Sequence, residues 1–258
     1  KKILIDCGLV QGEQYSLPIN SEPFSYDPST IDALFVTHAH LDHVGRIPRL
    51  VRDGFRGEIV STDPTREMAE LIMLDSLGLL GKEALQTGVP PLYEEKDVFE
   101  SMHLWSTVVP YEKSFILKTN DEDATITLHD AGHILGSAIV EIAYKGKKLA
   151  FTGDLGNTPS PLMRETTPLK DIDYLVLESV YGDRNHKDKD KRIEIFKEAV
   201  VTTIAKGGTV LIPAFSIERT QEMLLAFNEL VEGKMIPEIP VYLNSPLGIN
   251  ITMVYKKY

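Results

Sequence analysis

Three things are scarce in this chain, and each scarcity removes a class of protein. There is one cysteine, Cys7, so no internal disulfide can hold the fold together. It sits in the apolar, strand-like run Ile3-Leu4-Ile5-Asp6-Cys7-Gly8, where a buried small hydrophobe is expected. Long hydrophobic runs are missing too. Stretches such as Leu71-Ile72-Met73-Leu74 are cut by Asp75 and Gly78, well short of the roughly 18 residues of a membrane span. With no signal-peptide pattern visible, a cytoplasmic location is the expectation. Positive charge is the third shortage. A formal net charge of −11 argues against coating nucleic acid by bulk attraction. It does not argue against a nuclease, in which bound dications offset carboxylates and a local basic strip holds the phosphates. Candidates for that strip are Arg46, Arg49, Arg52 and Arg56, and the loop Lys145-Gly146-Lys147-Lys148, whose simpler reading is a solvated hairpin turn.

What is present is the makeup of a globular protein, 43% hydrophobic and 25% charged over 258 residues, enough for one large domain or one and part of another. Strand-like segments alternate with helical patterns, which favours an α/β protein. Asp63-Pro64 opens a helix running to about Leu80, with Met68, Leu71, Ile72 and Leu79 inward. A second helix spans about Glu94 to Leu104, with His103 on a packed face. Short strands follow at Phe115–Leu117, Thr125–Leu128, Ala138–Ala143, Lys148–Phe151 and Tyr174–Leu177. The mixed-charge stretch from Lys187 to Arg192 starts a helix to about Ala205 and marks a domain boundary. Beyond it come strand Thr209–Ile212, helix Arg219–Val231, strand Val241–Leu243 and an opening helix, the beginning of a parallel α/β unit. The chain opens inside a strand-like segment without a methionine and stops within an amphipathic pattern, so it reads as a fragment.

The densest chemistry lies in His38-Ala39-His40-Leu41-Asp42-His43. A strand, Ile31–Thr37, leads into it, and strand periodicity turns His38 and His40 to one side, where both can hold one metal. After His40 the pattern becomes helical to Leu50, with Pro48 breaking it early, and the changed period lets Asp42 and His43 face a second metal. A lone histidine is ordinarily a core or surface residue; three within six residues, with an aspartate among them, are not. Imidazole and carboxylate donors without thiolate suit Zn²⁺, and Mn²⁺, Fe²⁺ or Co²⁺ as well. Two metals need further ligands from other strand ends. Ala131-Gly132-His133 and Thr152-Gly153-Asp154-Leu155-Gly156 supply them: His133 can complete the first site, and Asp154 has two oxygens with which to bridge both. His129, on the preceding strand, is expected to lie beside the sheet.

The order Asp6, His38-Ala39-His40-Leu41-Asp42-His43, His133, Asp154 resembles the metallo-β-lactamase superfamily. The match covers about residues 1–183 and implies a four-layer αββα sandwich with metals at one edge of its sheets. Flavodiiron members usually carry a glutamate where this chain has His40, which disfavours that branch. The segments Leu177-Glu178-Ser179-Val180-Tyr181-Gly182-Asp183-Arg184-Asn185-His186, Pro213-Ala214-Phe215-Ser216-Ile217-Glu218-Arg219-Thr220-Gln221-Glu222 and Asn244-Ser245-Pro246-Leu247-Gly248 resemble landmarks of its β-CASP branch of RNA-processing nucleases. Departures are Val180 for a common threonine, Ser216 and Glu218 for alanine and glycine, and Gly248 for alanine. The resemblance implies a metallo-β-lactamase domain over 1–183, its N-terminal strands and C-terminal return partly missing. It also implies a truncated α/β β-CASP cap over 184–258. A further metal histidine and a leaving-group histidine would lie beyond Tyr258, leaving the second site incomplete.

The resemblance implies two Zn²⁺ held by His38, His40, Asp42, His43, His133 and Asp154, acting on RNA. Asp42 would be ligand and proton acceptor, Asp154 the bridge, and Asp6 the acceptor that orients a ligand imidazole. Glu178 could position the leaving-group histidine. Arg184 and His186, with Ser216, Arg219 and Ser245, are candidate substrate contacts, although capping and surface pairing account for them equally well. The expected function is an endoribonuclease with possible 5′-to-3′ exonuclease activity, no membrane partner, and a homodimer as a compatible assembly. A small-substrate hydrolase of thioesters, lactones or lactams and an inactive scaffold subunit are the alternatives. The cap-like motifs count against the first of these and the intact cluster against the second.

Overall fold

Residues 1–12, 16–157, 159–184 and 191–258 are described by a computed structural model, in which packing divides the chain into two units, Lys1–Glu178 and Ser179–Lys257. The first is built on two sheets. One is wholly parallel, in the order β1 (Ile3–Ile5), β2 (Ala33–Phe35), β3 (Glu58–Ser61), β4 (Thr107–Val108). Of its two inner strands, β2 is apolar and buried at every position, as suits a parallel strand covered on both faces. The other sheet runs β5 (Ser114–Leu117), β6 (Ala124–Asp130), β7 (Ala138–Tyr144), β8 (Lys147–Phe151), β9 (Tyr174–Val176). Its pairs are antiparallel except β8 with β9. Lys145 and Gly146, both at positive φ, make the tight β7–β8 turn whose twist matches the strands.

The sheets share one core: Ala33, Phe35 and Val60 from the first meet Ile126, Leu128, Val140 and Ile142 from the second. They are also stitched at one end, where the Ala138 N–H donates to the Thr37 carbonyl at 2.7 Å. That stitch lies next to His38. Helices α2 (Leu41–Val44), α3 (Ile47–Arg52), α4 (Asp63–Thr87) and α5 (Glu95–Leu104) follow a short α1 (Ser16–Ser21), and α5 packs on β3 and against α3 and α4. With its helices on one sheet and the second sheet behind, this is the layered α/β sandwich.

Several local expectations change. Helix α4 runs seven residues past Leu80 because nothing stops it before Gly88, which caps it in the left-handed conformation. Its buried stripe is Met68, Ile72, Met73, Ser76 and Leu80; Leu79, one position off that stripe, is 64% exposed. Pro48 is no breaker. The break falls at Gly45-Arg46, and Pro48 occupies the first turn of α3, where its missing N–H has no helical partner to lose. His103 is exposed, its Nδ1 2.7 Å from the Phe99 carbonyl.

The second unit comprises α6 (Arg192–Ala205), α7 (Arg219–Glu232) and α8 (Pro246–Lys257). Val200, Leu230 and Ile236 form its small core, with Phe196 edge-on to Phe227. The strands expected at 209–212 and 241–243 are not formed: both segments lack a ladder partner among the described residues, and Leu211 and Tyr242 are 91% and 86% exposed. Composition makes a segment ready to be a strand, but only a paired neighbour makes it one. His186 and residues 187–190 of the mixed-charge stretch lie outside the described residues.

Candidate metal centre

The site is assembled from strand ends. Just past β1, Asp6 takes a left-handed backbone (φ 58°), an uncommon conformation for a residue other than glycine. Its carboxylate accepts from the Thr37 N–H at 2.7 Å, from the Thr37 hydroxyl at 2.7 Å, and from His43 Nδ1 at 2.7 Å. Thr37, the last residue before His38, is a residue that the ligand pattern alone does not single out. With its single hydroxyl proton on Asp6, its oxygen can only accept from His38 Nδ1, 3.0 Å away. The bond fixes the tautomer, so the lone pair of His38 Nε2 faces the centre.

His40 caps the short helix α2 and turns Nδ1 inward. From the second sheet, the loop between β6 and β7 brings in His133, and the Ser137 hydroxyl accepts from the backbone N–H groups of His133 and Ile134. The loop after β8 brings in Asp154. There Gly153 has φ +53°, and any Cβ on it would come within 2.6 Å of the Thr37 side chain, so the loop can pass this close only with glycine.

His38 Nε2 lies 3.1 Å from His40 Nδ1, and His133 Nε2 lies 3.2 Å from the same atom. Asp154 Oδ2 is 3.8 Å from His38 Nε2 and 3.7 Å from His133 Nε2. These four side chains each turn a donor atom to one point, all within 4.8 Å of one another. The spacing fits a cation: a tetrahedron with bonds of about 2 Å has edges of about 3.3 Å. Their surroundings also favour, in all three imidazoles, the neutral form that ligation requires. Burial, aided by neighbouring imidazoles, holds His38 well below its ordinary range and His40 at about 4, and burial lowers His133.

A second set adjoins it. His43 Nε2 is 3.4 Å from Asp154 Oδ1 and 3.9 Å from Asp42 Oδ2, while its other nitrogen is tied to Asp6. Burial pushes His43 down, but its hydrogen bonds to Asp154 and Asp6 outweigh that and raise it to about 10. The same bond holds Asp154 below the usual carboxylate range. Asp154 thus presents one oxygen to each set. Glu178 stands beside this loop, accepting from the Leu155 N–H at 3.3 Å and donating its own N–H to the Thr152 hydroxyl.

Other candidates are engaged elsewhere. His129 lies between Glu112 and Glu141, away from the cluster. Arg46 donates to the Glu22 carbonyl and stacks on Phe24, Arg49 pairs with Asp53, and Arg56 donates to the carbonyls of Val51 and Phe55. The loop lysines pair with Asp121, Asp173 and Glu141. In the second unit Arg184 pairs with Asp183 and stacks on Tyr181, and Arg219 pairs with Glu222. The Ser216 carbonyl accepts from Gln221, and the Ser245 hydroxyl accepts from the Gly248 N–H at the start of α8.

A family model described as the metallo-beta-lactamase superfamily matches residues 1–181. The chain belongs to the metallo-β-lactamase superfamily. Its four converging donors, His38, His40, His133 and Asp154, are a site for a divalent metal in that fold. Over 258 residues the chain is 34% identical to ribonuclease TTHA0252 of Thermus thermophilus, covering all of this chain and 56% of that protein. It is 34% identical to the transcription termination factor FttA of Methanosarcina mazei, over 94% of this chain and 38% of that one. To the cleavage and polyadenylation specificity factor subunit 3-I of Arabidopsis thaliana it is 30% identical, over 100% and 36%. The chain therefore spans from about a third to just over half the length of these relatives. These matches run on past residue 181 into the second unit.

Proposed function

We propose that this chain carries the catalytic centre of a β-CASP ribonuclease that hydrolyses RNA phosphodiester bonds with two divalent metals, zinc in the first instance. The observation that carries it is the double reach of Asp154, one oxygen toward His38 and His133, the other toward His43, which Asp42 adjoins. Three imidazoles and a carboxylate fit a borderline-soft cation, and the second set offers the Asp42 carboxylate with His43, which would give up to the metal the proton that Asp154 and Asp6 favour on it. Bound there, divalent cations would supply a water acidified toward neutrality and a clamp on the phosphate oxygens.

The residues of the chain do the rest. Thr37 and Asp6 fix the ring orientations of His38 and His43, so that both Nε2 atoms face the centre. Asp42, its side chain about half exposed, stands where it can take the proton that the nucleophile loses. Glu178, at the end of β9 and hydrogen-bonded to the Asp154 loop, is placed to orient a leaving-group acid. The products in this reading are a 5′-phosphate and a 3′-hydroxyl, from endonucleolytic and 5′-to-3′ exonucleolytic cleavage. Arg184, His186, Ser216, Arg219 and Ser245 are the proposed contacts of the cap with RNA, in a cytoplasmic enzyme compatible with a homodimer. The names of the relatives support RNA as the substrate.

A gel assay with labelled RNA, single-stranded DNA and a thioester tests it, using purified metal-loaded protein beside Asp42→Ala. Cleavage of RNA by the parent and not by the variant is expected. Hydrolysis of the thioester alone would overturn the reading, and inertness toward all three at full metal occupancy would favour a scaffold.

A further inference from the structure

Six arginines belong to the first unit, and five are engaged by the protein itself. Arg46, Arg49 and Arg56 are bound as described above. Arg52 donates to the Pro91 carbonyl and lies beside Asp53, and Arg66 donates to the Trp105 carbonyl at 2.7 Å. The sixth is Arg164. Among the described residues its exposed side chain makes no hydrogen bond, ion pair or ring contact, and it does not pair even with its neighbour Glu165.

The chain at and just after it, by contrast, lies against the metal-binding loop. The Thr167 N–H donates to the Asp130 carbonyl at 2.9 Å, and the Thr166 hydroxyl to the Ala131 carbonyl at 3.0 Å. Gly132 has φ +66°, and a Cβ there would fall 2.8 Å from the Arg164 carbonyl oxygen. Residues 164–167 are thereby laced to 130–132, the three residues before His133. The charge of Arg164 also reaches that loop: it opposes the rise that burial causes in Asp130 and in Tyr111, whose hydroxyl donates to the Ser137 carbonyl.

We propose that Arg164 binds a phosphate of the RNA strand at the rim of the metal centre, beside the His133 loop; this rests on the ribonuclease reading above. A guanidinium offers a rigid fork of donors matched to phosphate oxygens. In a chain of net charge −11, an unpaired cation beside the loop that carries His133 gives a polyanion a local point of attachment. Arg164 is then a substrate-binding residue that holds the strand while the metal ligands act.

The test is steady-state cleavage of a labelled single-stranded RNA by the metal-loaded protein over a series of salt concentrations. Arg164→Ala, Arg164→Lys and Lys82→Ala, a charge-matched control on the exposed side of α4, are compared with the parent. Arg164→Ala is expected to raise KM about tenfold with kcat within about twofold. It should also flatten the dependence of log(kcat/KM) on log salt by about 0.7, the loss of one phosphate contact on a single strand. Arg164→Lys should keep the salt slope and recover part of the KM, and Lys82→Ala should match the parent. If the parent cleaves RNA but Arg164→Ala shares its KM and salt slope, the proposal falls and the ribonuclease reading stands. It also falls if Lys82→Ala flattens the slope as much. If the parent cleaves no RNA but hydrolyses a thioester, the ribonuclease reading falls and the proposal with it.

Discussion

The two units bury their apolar residues by different means. Among the described residues the first pairs nine strands into two sheets, closes them over a shared core, and uses the strand ends to aim side chains at one point. The second packs α6 and α7 around Val200, Leu230 and Ile236, while its two most strand-like segments have no ladder partner among the described residues and leave Leu211 and Tyr242 in solvent. A helix closes its hydrogen bonds within its own segment, whereas a strand must find them on another. Precision in this molecule lies where backbone groups of distant segments are tied together, and that is where the metal ligands sit.

The sharpest way to break that contrast is Asp154→Ala. Asp154 is the carboxylate shared by both ligand sets, so its loss should lower metal retention by more than the 10–100-fold typical of losing an outer hydrogen-bond partner. RNA cleavage should disappear with it. Metal analysis after dialysis beside the gel assay decides; full occupancy in the variant would show that the first unit is not organised around this residue. Next in size is Leu230→Ala, which opens a cavity under a fully buried side chain and should cost about 2–5 kcal/mol in denaturant unfolding. Metal content should stay as in the parent, since the converging donors all lie in the first unit. A parallel loss of metal would erase the distinction between the units.

Asp6→Asn is the subtler test of the first unit. An amide can accept from Thr37 but cannot serve the His43 imidazole and both Thr37 donors as a carboxylate does. A loss of about 10–100-fold in metal affinity is expected, with little change in melting temperature. Chelator competition measures it, and an unchanged affinity would make the Asp6–His43 bond a structural one only.

The same contrast explains how much was legible beforehand. His38, His40, His133 and Asp154 could be nominated from ligand chemistry and glycine-flanked strand ends, because both signals are local. Helices α6 and α7 were legible for the same reason. Thr37 was not, since its importance lies in a hydroxyl shared between Asp6 and His38, and neither partner marks it in the sequence. Leu79 was misplaced because one residue along a helix is a turn of about 100°. The segments 209–212 and 241–243 have strand composition, and no local pattern shows whether a partner is present. The arginines nominated for RNA, Arg46 to Arg56, carried the right charge, but their internal partners show only in three dimensions, as does the unpaired state of Arg164.

The smallest effect belongs to Glu218, in the second unit, where the resemblance has a common glycine. Its backbone is a strained γ-turn (φ 64°, ψ −61°), with the Arg219 N–H donating to the Ile217 carbonyl across it. One carboxyl oxygen accepts from the Tyr255 hydroxyl at 2.6 Å; the other is buried without a partner among the described residues. Burial raises the group from 4.5 to about 7, with the Tyr255 bond and Arg219 opposing and Glu222 adding to the rise. The folded state thus favours the protonated acid. Its contribution to stability is complete below pH 4.5, shrinks as pH rises toward 7, and is gone above it. Glu218→Gln keeps the shape and removes the titration. It should melt with the parent at pH 5 and be more stable by about 1–2 kcal/mol at pH 8, the part-exposed position reducing the full linkage value. If the parent and the variant lose stability in parallel between pH 5 and 8, this carboxyl is ionised in the fold. The second unit would then owe nothing to its protonation.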